Sequence, residues 1–357
     1  MSELQFSLLA IGVVVVGGVL LYNWYQAQQL RRRLGEAFGE THDDALLDEG
    51  GAARVEPKLD SGGDARPGVA APPAAKGVPA PPQSMAGIDE VIDCMGTLTS
   101  ETPMTAAQVA ELLSAVAACG RGWRAAGYNA AAGKWEAISR AVTAQYSQLR
   151  LALQVVNRGG AISAVQLGAF CDALNAAASR TGATAQCPDT DTVLRQAQAL
   201  DLFCGDVDVA IGINVIAAEG DTFPGVRLRA LVEGEGFTLE PDGVFHLEGE
   251  HGQTLLTLGN QEAAPFLPEA IGGMSTRGIT LLLDVPRVAP AEQALQRMFE
   301  LGKSLSVTLK GRLVDDNRAT LSAASMDQIR QQLKDIQAAM NTRDIAPGSP
   351  RALRLFS

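Results

Sequence analysis

The side chains best suited to chemistry in this chain lie in the run FHLEGEHG, where His246 and His251 bracket Glu248 and Glu250. Two imidazoles and two carboxylates so close together could in principle hold a divalent metal. No third ligand set accompanies them, and a polar hairpin tip accounts for the same residues. The stretch Gly127–Lys134 approximates a phosphate-cradling loop, but its two glycines stand one residue too far apart and Trp135 occupies the place of the required Ser or Thr. Asp315 and Asp316 are adjacent acids just before a helix start, where solvated carboxylates are ordinary. The five cysteines, Cys94, Cys119, Cys171, Cys187 and Cys204, form no C-x-x-C pair. Cys94, Cys119 and Cys171 fall at apolar positions of strand or helix patterns, which suits small buried hydrophobes in a reducing cytoplasm. With only three histidines, one of them His42, no nucleophile, base and orienting group can be assembled. The expectation is a protein that is not an enzyme, with no cofactor, metal or small-molecule substrate. A net charge of −11 without a basic stripe argues against nucleic acid as a partner.

The elements that could position a binding surface follow from composition and periodicity. A chain of 357 residues has room for one to three domains, and 46% apolar content supports real cores. Between Leu4 and Tyr25 there is no charge, and Arg31-Arg32-Arg33 follow. About 20 such residues suffice to cross the bilayer, and Tyr22, Trp24 and Tyr25 suit the headgroup boundary. The spacing predicts a transmembrane helix over 4–25 that contacts the lipid bilayer, with the N-terminus periplasmic and the body cytoplasmic, because all the nearby positive charge lies after the span. A cleaved signal peptide would need a basic n-region before the apolar run and a small-x-small site after it, and the chain has neither. Residues 26–87 read as a linker, acidic at first (Glu36, Glu40, Asp43, Asp44, Asp48, Glu49) and then rich in Pro and Ala. Such composition cannot bury enough surface to fold alone, and stretched out it would reach on the order of 150 Å at about 3.1 Å per residue.

Folded sequence is expected from 88 to about 340, as two units of one plan: 88–204 and 205–341, with 342–357 as a disordered tail. Each unit opens with a strand, Ile88–Leu98 and Val207–Ile216. In the second, Val207, Val209, Ile211, Ile213 and Val215 alternate with Asp206, Asp208, Ala210, Gly212 and Asn214, the period of a sheet with one buried face. A short helix and glycine-punctuated hairpins follow in each unit. Then comes an alternating strand (Leu149, Leu151, Leu153, Val155; Ile279, Leu281, Leu283, Val285), a longer helix (Ser163–Arg180; Pro290–Leu305) and a closing helix. Ser325-x-x-Gln328 reads as the capping box of the last of these. The fold class expected is α+β, antiparallel sheets with helices on one face in two tandem copies. Two unrelated α+β domains are the alternative.

The strand VAIGINVIA, the strand RGITLLLDVP (277–286) and the run LVDDNR (313–318) before an amphipathic helix resemble the ZipA family of bacterial cell-division proteins. The resemblance covers the anchor, the linker and residues 205–341 in that order, and leaves the first unit unaccounted for. It implies a single-pass inner-membrane protein at the division site. It further implies a C-terminal domain of split β-α-β type, six antiparallel strands with three helices on one face, whose bare sheet face is a shallow apolar cleft for the C-terminal tail of the tubulin-like protein FtsZ. On that face alternation puts Ala210, Gly212, Asn214, Val244, Leu255, Thr257, Gln261, Thr280, Leu282 and Asp284. Asp242 and Gln261 stand where better-known members have methionines, and Leu282 where they have an aromatic ring, so a smaller and more polar cleft is expected. In the first unit the matching outward positions are Arg150, Ala152 and Gln154, too polar for the same peptide; this unit is either a spacer or a site for another partner. The function implied is tethering of FtsZ filaments to the inner membrane. A membrane-anchored scaffold or regulator for a different cytoplasmic protein is the alternative.

Overall fold

The computed structural model of the chain describes residues 87–357 apart from 130 and 140. The expected transmembrane helix and nearly all of the linker lie outside the described residues. Among the described residues no helix is long and apolar enough to cross a membrane.

The first body is built on a five-stranded antiparallel sheet. Its strands are β1 (Asp93–Met104), β2 (Trp123–Asn129), β3 (Lys134–Ala137), β4 (Tyr146–Gln154) and β7 (Thr184–Gln186), in the order β3-β2-β4-β1-β7. The two-residue strands β5 (Val156–Asn157) and β6 (Gly160–Ala161) pair with each other. Three helices accompany the sheet: α1 (Ala106–Ala117), α2 (Ala164–Thr181) and α3 (Thr190–Val207). Leu149, Leu151 and Leu153 are buried with Leu167, Phe170 and Leu174 of α2, as their alternation requires. α2 packs close over Gly96 of β1, where a Cβ would run into Leu174. Thr105 and Ser163 each form a reciprocal capping box, with Gln108 and Gln166.

The second body is built on a six-stranded antiparallel sheet, ordered β10-β11-β12-β14-β8-β15. Its strands are β8 (Ala210–Ile216), β10 (Phe237–Leu239), β11 (Phe245–Glu248), β12 (Thr254–Asn260), β14 (Gly278–Asp284) and β15 (Arg312–Val314). A small pair, β9 (Phe223–Pro224) with β13 (Ser275–Thr276), lies beside it. Helices α4 (Gly225–Gly234), α5 (Ala291–Thr308) and α6 (Ala323–Asn341) share one core with the odd residues of β8 and β14. Ile213, Val215, Ile279, Leu281 and Leu283 are all sealed from solvent there. Both sheets put their first strand between the strand that precedes the long helix and the strand that follows it: β4-β1-β7 in one, β14-β8-β15 in the other. Their flanks differ. In the first sheet β2 lies between β3 and β4, whereas in the second β10, β11 and β12 run as a meander.

Several expectations are corrected. The opening strands begin later than their apolar runs, at Asp93 and at Ala210, because Val207 still belongs to α3. The cap of α6 is Ser322, whose hydroxyl accepts from the Ser325 amide at 3.1 Å, so Ser325 is inside the helix. The largest correction concerns 342–357, which is folded. Ser349 caps a further helix, α7 (Pro350–Leu355), and Ile345, Ala352, Leu355 and Phe356 are buried in the core of the first body. Arg354 forms a salt bridge with the fully buried carboxylate of Asp93, and Arg351 Nε bonds Asp89 Oδ2 at 2.6 Å. The segment also touches the second body on the way, where the Gly348 amide donates to the Pro286 carbonyl at 2.9 Å.

The thiols provide a check on this packing. Burial pushes Cys94 and Cys204 up to about 12, which leaves on the order of one part in ten thousand as thiolate at pH 8. Cys187 is exposed. In the native protein at pH 8, iodoacetamide is expected to alkylate Cys187 readily and to reach Cys94 and Cys204 only after unfolding, read by peptide mass mapping. Prompt native labelling of Cys94 would contradict the first core.

Candidate functional site

The face of the second sheet that turns away from α4, α5 and α6 is the candidate site. Strand register fixes its rows. Leu282 of β14 stands between Gly212 of β8 and Thr257 of β12, and Thr257 is opposite His246 of β11. Leu282 is 36% exposed while its neighbours Leu281 and Leu283 are at 0%, so one strand divides cleanly into a core side and an open side. Val244, Leu255 and Ala210 are half-buried around that row. Leu255 also touches the edge of the core, which makes Leu282 the cleaner probe of the face. Gln261 is exposed beyond the end of β12; its amide donates to the Gly278 carbonyl at 3.0 Å and its side chain lies over Gly278.

Two of the expected residues are not open. Asn214 is 4% exposed, because a chain of polar contacts crosses the face above it. The Thr280 hydroxyl donates to Asn214 Oδ1 at 2.6 Å, and Asn214 Nδ2 donates to Asp316 Oδ1 at 3.0 Å. The run LVDDNR makes this possible. Asp315 Oδ1 accepts from the amides of Asn317 and Ala319, at 2.9 and 2.8 Å, and Arg318 takes a left-handed φ of 63°. The resulting tight turn sets Asp316 over β8, 3.5 Å from where a Cβ on Gly212 would stand. The paired acids are therefore a turn lock and a hydrogen-bond terminus for Asn214. Asn214→Ala is expected to lower stability by about 1–2 kcal/mol, because it leaves the Thr280 hydroxyl without its acceptor; chemical denaturation measures this. No change in the midpoint would contradict the polar chain.

Asp284 is the second residue taken out of the open set. Arg158, from the β5–β6 turn of the first body, bridges Asp284 and Asp208 at 2.8 Å each. Burial alone would depress the Arg158 guanidinium, but the hydrogen bonds it donates to Asp284 and Asp208 outweigh that and raise its pKa. The face is thus closed at one end by a charged clamp from the first body. What remains open is a short strip of Gly212, Leu282, Thr257, Leu255 and Val244.

His246 belongs to this strip and was missed in the sequence, where it read as part of a hairpin tip. It lies within β11, with Nε2 2.9 Å from Asp242 Oδ2 and Nδ1 3.5 Å from Thr254 Oγ1. The alternation Phe245-His246-Leu247 was the available signal. Among the described residues no three His, Cys, Asp or Glu side chains come together as a metal site. The strip offers apolar contact flanked by a few polar groups, which is suited to holding an apolar peptide segment by burial.

Residues 209–332 match the family described as ZipA, C-terminal FtsZ-binding domain. A protein named Cell division protein ZipA from Marinobacter nauticus is 27% identical over 129 residues, 35% of this chain and 38% of the relative. Its namesake from Ectopseudomonas mendocina is 26% identical over 141 residues, 38% of this chain and 52% of the relative. That from Pseudomonas aeruginosa is 28% identical over 133 residues, 36% of this chain and 46% of the relative. The chain thus spans about half or less of the length of these curated relatives.

Proposed function

We propose, for a chain whose C-terminal body belongs to the ZipA family, that it recruits FtsZ filaments to the cytoplasmic face of the inner membrane at the division site. The open strip around Leu282 receives the apolar part of the FtsZ C-terminal tail, and the apolar run 4–25 holds the chain in the bilayer. The observation that carries this reading is the exposed Leu282 on a helix-free sheet face, within the stretch that matches an FtsZ-binding domain. A strip this small and this polar, with Asp242 and Gln261 at its edges, gives modest affinity for one tail. Many copies on one membrane facing one filament act together, so modest single-site affinity is enough. The first body is read as a divergent copy of the second on the shared arrangement of its three central strands.

Full-length protein in vesicles tests this. FtsZ filaments are expected to co-float with the vesicles, and FtsZ lacking its C-terminal tail is expected to remain in solution. Equal recruitment of both forms would overturn the tail as the ligand. Recruitment of neither would favour a scaffold for a different cytoplasmic partner.

A further inference from the structure

The described strands contain six glycines: Gly96, Gly127, Gly160, Gly212, Gly259 and Gly278. For four of them the fold itself supplies the reason. Gly160 takes a left-handed φ of 100°. At Gly96 a Cβ would run into Leu174, at Gly127 into the Tyr146 ring, and at Gly278 into the Gln261 side chain, so the chain fills each of these spaces itself. Gly212 and Gly259 have neither reason. Neither takes a positive φ. A Cβ on Gly212 would make only ordinary contacts, 3.5 Å from Asp316 Oδ1 and 3.7 Å from Leu282 Cδ1. Among the described residues nothing lies within 4 Å of the same position on Gly259. A glycine inside a strand weakens it, and where packing does not demand one it marks a place that a ligand approaches closely.

Both glycines lie on the helix-free face of the second sheet. Register sets Gly212 opposite Leu282 and Gly259 opposite Thr280, with β14 running between β8 and β12. Two furrows floored by bare backbone therefore flank the ridge that Leu282 and Thr280 form. With strands about 4.8 Å apart and a rise of about 3.4 Å per residue, the two glycines stand about 12 Å from each other. We propose that Gly212 and Gly259 are steric determinants of tail binding, kept free of side chains so that two side chains of the bound segment seat against the sheet backbone on either side of β14. The proposal rests on the reading of this face as the receiver of the FtsZ tail and extends the contact by one row, to Thr280 and Gly259. The bound segment then crosses β14 obliquely and presents two side chains about 12 Å apart. The furrow at Gly212 has a Leu282 methyl on one side and the Asp316 carboxylate on the other, which suits a side chain with an apolar stem and a hydrogen-bond donor at its tip. The furrow at Gly259 has no such walls and suits a plain apolar one.

The test uses the full chain in detergent micelles, with a fluorescent FtsZ C-terminal tail peptide as probe, anisotropy for affinity and calorimetry for stability. Gly212→Ala should weaken binding about fivefold or more and Gly259→Val about tenfold or more, because the added methyl groups occupy space that the ligand fills. The two losses should multiply in the double variant, since sites so far apart act independently. The melting temperature should hold or rise by about 1–3 °C in each, as both changes favour the strand. Variants that bind the tail as tightly as the parent overturn the proposal while leaving the face itself as the receiver. Weaker binding together with a lowered melting temperature also overturns it, because the fold would then need these glycines. A parent that does not bind the tail removes the reading beneath the proposal, and the proposal with it.

Discussion

Replacing Leu282 by Glu is expected to weaken binding of the FtsZ tail peptide by at least about a hundredfold, since a carboxylate stripped of water against an apolar segment costs several kcal/mol. The same change should leave the melting temperature within about 2 °C of the parent, because the side chain already meets solvent in the free protein. Leu281→Glu, one residue away, should do the opposite. Its side chain is sealed between the sheet and the helices, and a buried carboxylate there is expected to unfold the second body. Isothermal titration and thermal denaturation of the two variants read these effects side by side. A Leu282→Glu protein that binds as well as the parent would mean that the wrong face, or the wrong ligand, has been assigned.

The second large effect is expected at the C-terminus. Arg354→Ala removes the guanidinium that faces Asp93, whose side chain is fully buried. The Asp89 amide, which donates to that carboxylate at 2.9 Å, would remain. Breaking one side of a buried ion pair costs about 3–5 kcal/mol, so the first body should melt roughly 10 °C lower. Ending the chain at Ser349 should cost more, because Leu355 and Phe356 then leave the core as well. Tail-peptide affinity should change little in Arg354→Ala, as none of the strip residues touches Arg354. Calorimetry on the full chain checks this. An unchanged melting profile would contradict the folded C-terminal segment.

Local periodicity made much of this fold readable. The alternation in 210–216, 279–285 and 149–155 gave strands with the correct buried side, since a strand's period of two is written directly in its residues. The helix start at Ser163 was read correctly, and the structure shows a capping box there with Gln166, whereas the one read at Ser325 lies inside its helix. What stayed hidden depended on partners distant in sequence. Helix α7 has too few residues to show a period, and its stability comes from Asp89, Asp93 and a core formed hundreds of residues earlier. At the candidate site, parity placed Leu282 and Gly212 on the open face, but it could not reveal that Asp316 would fold back over Asn214. Nor could it show Arg158 reaching from the first body to Asp284. His246 was passed over because its neighbours His251, Glu248 and Glu250 drew the reading toward a hairpin tip.

The central claim, that the helix-free strip of the second sheet receives the FtsZ tail, is tested most directly by backbone amide chemical-shift mapping as tail peptide is added to the isotope-labelled protein. The account predicts that the largest shifts fall on Gly212, Val244, His246, Thr257 and Leu282, with Arg124 and Arg150 unmoved. Shifts concentrated on α4, α5 or α6, or on the first sheet, would contradict it.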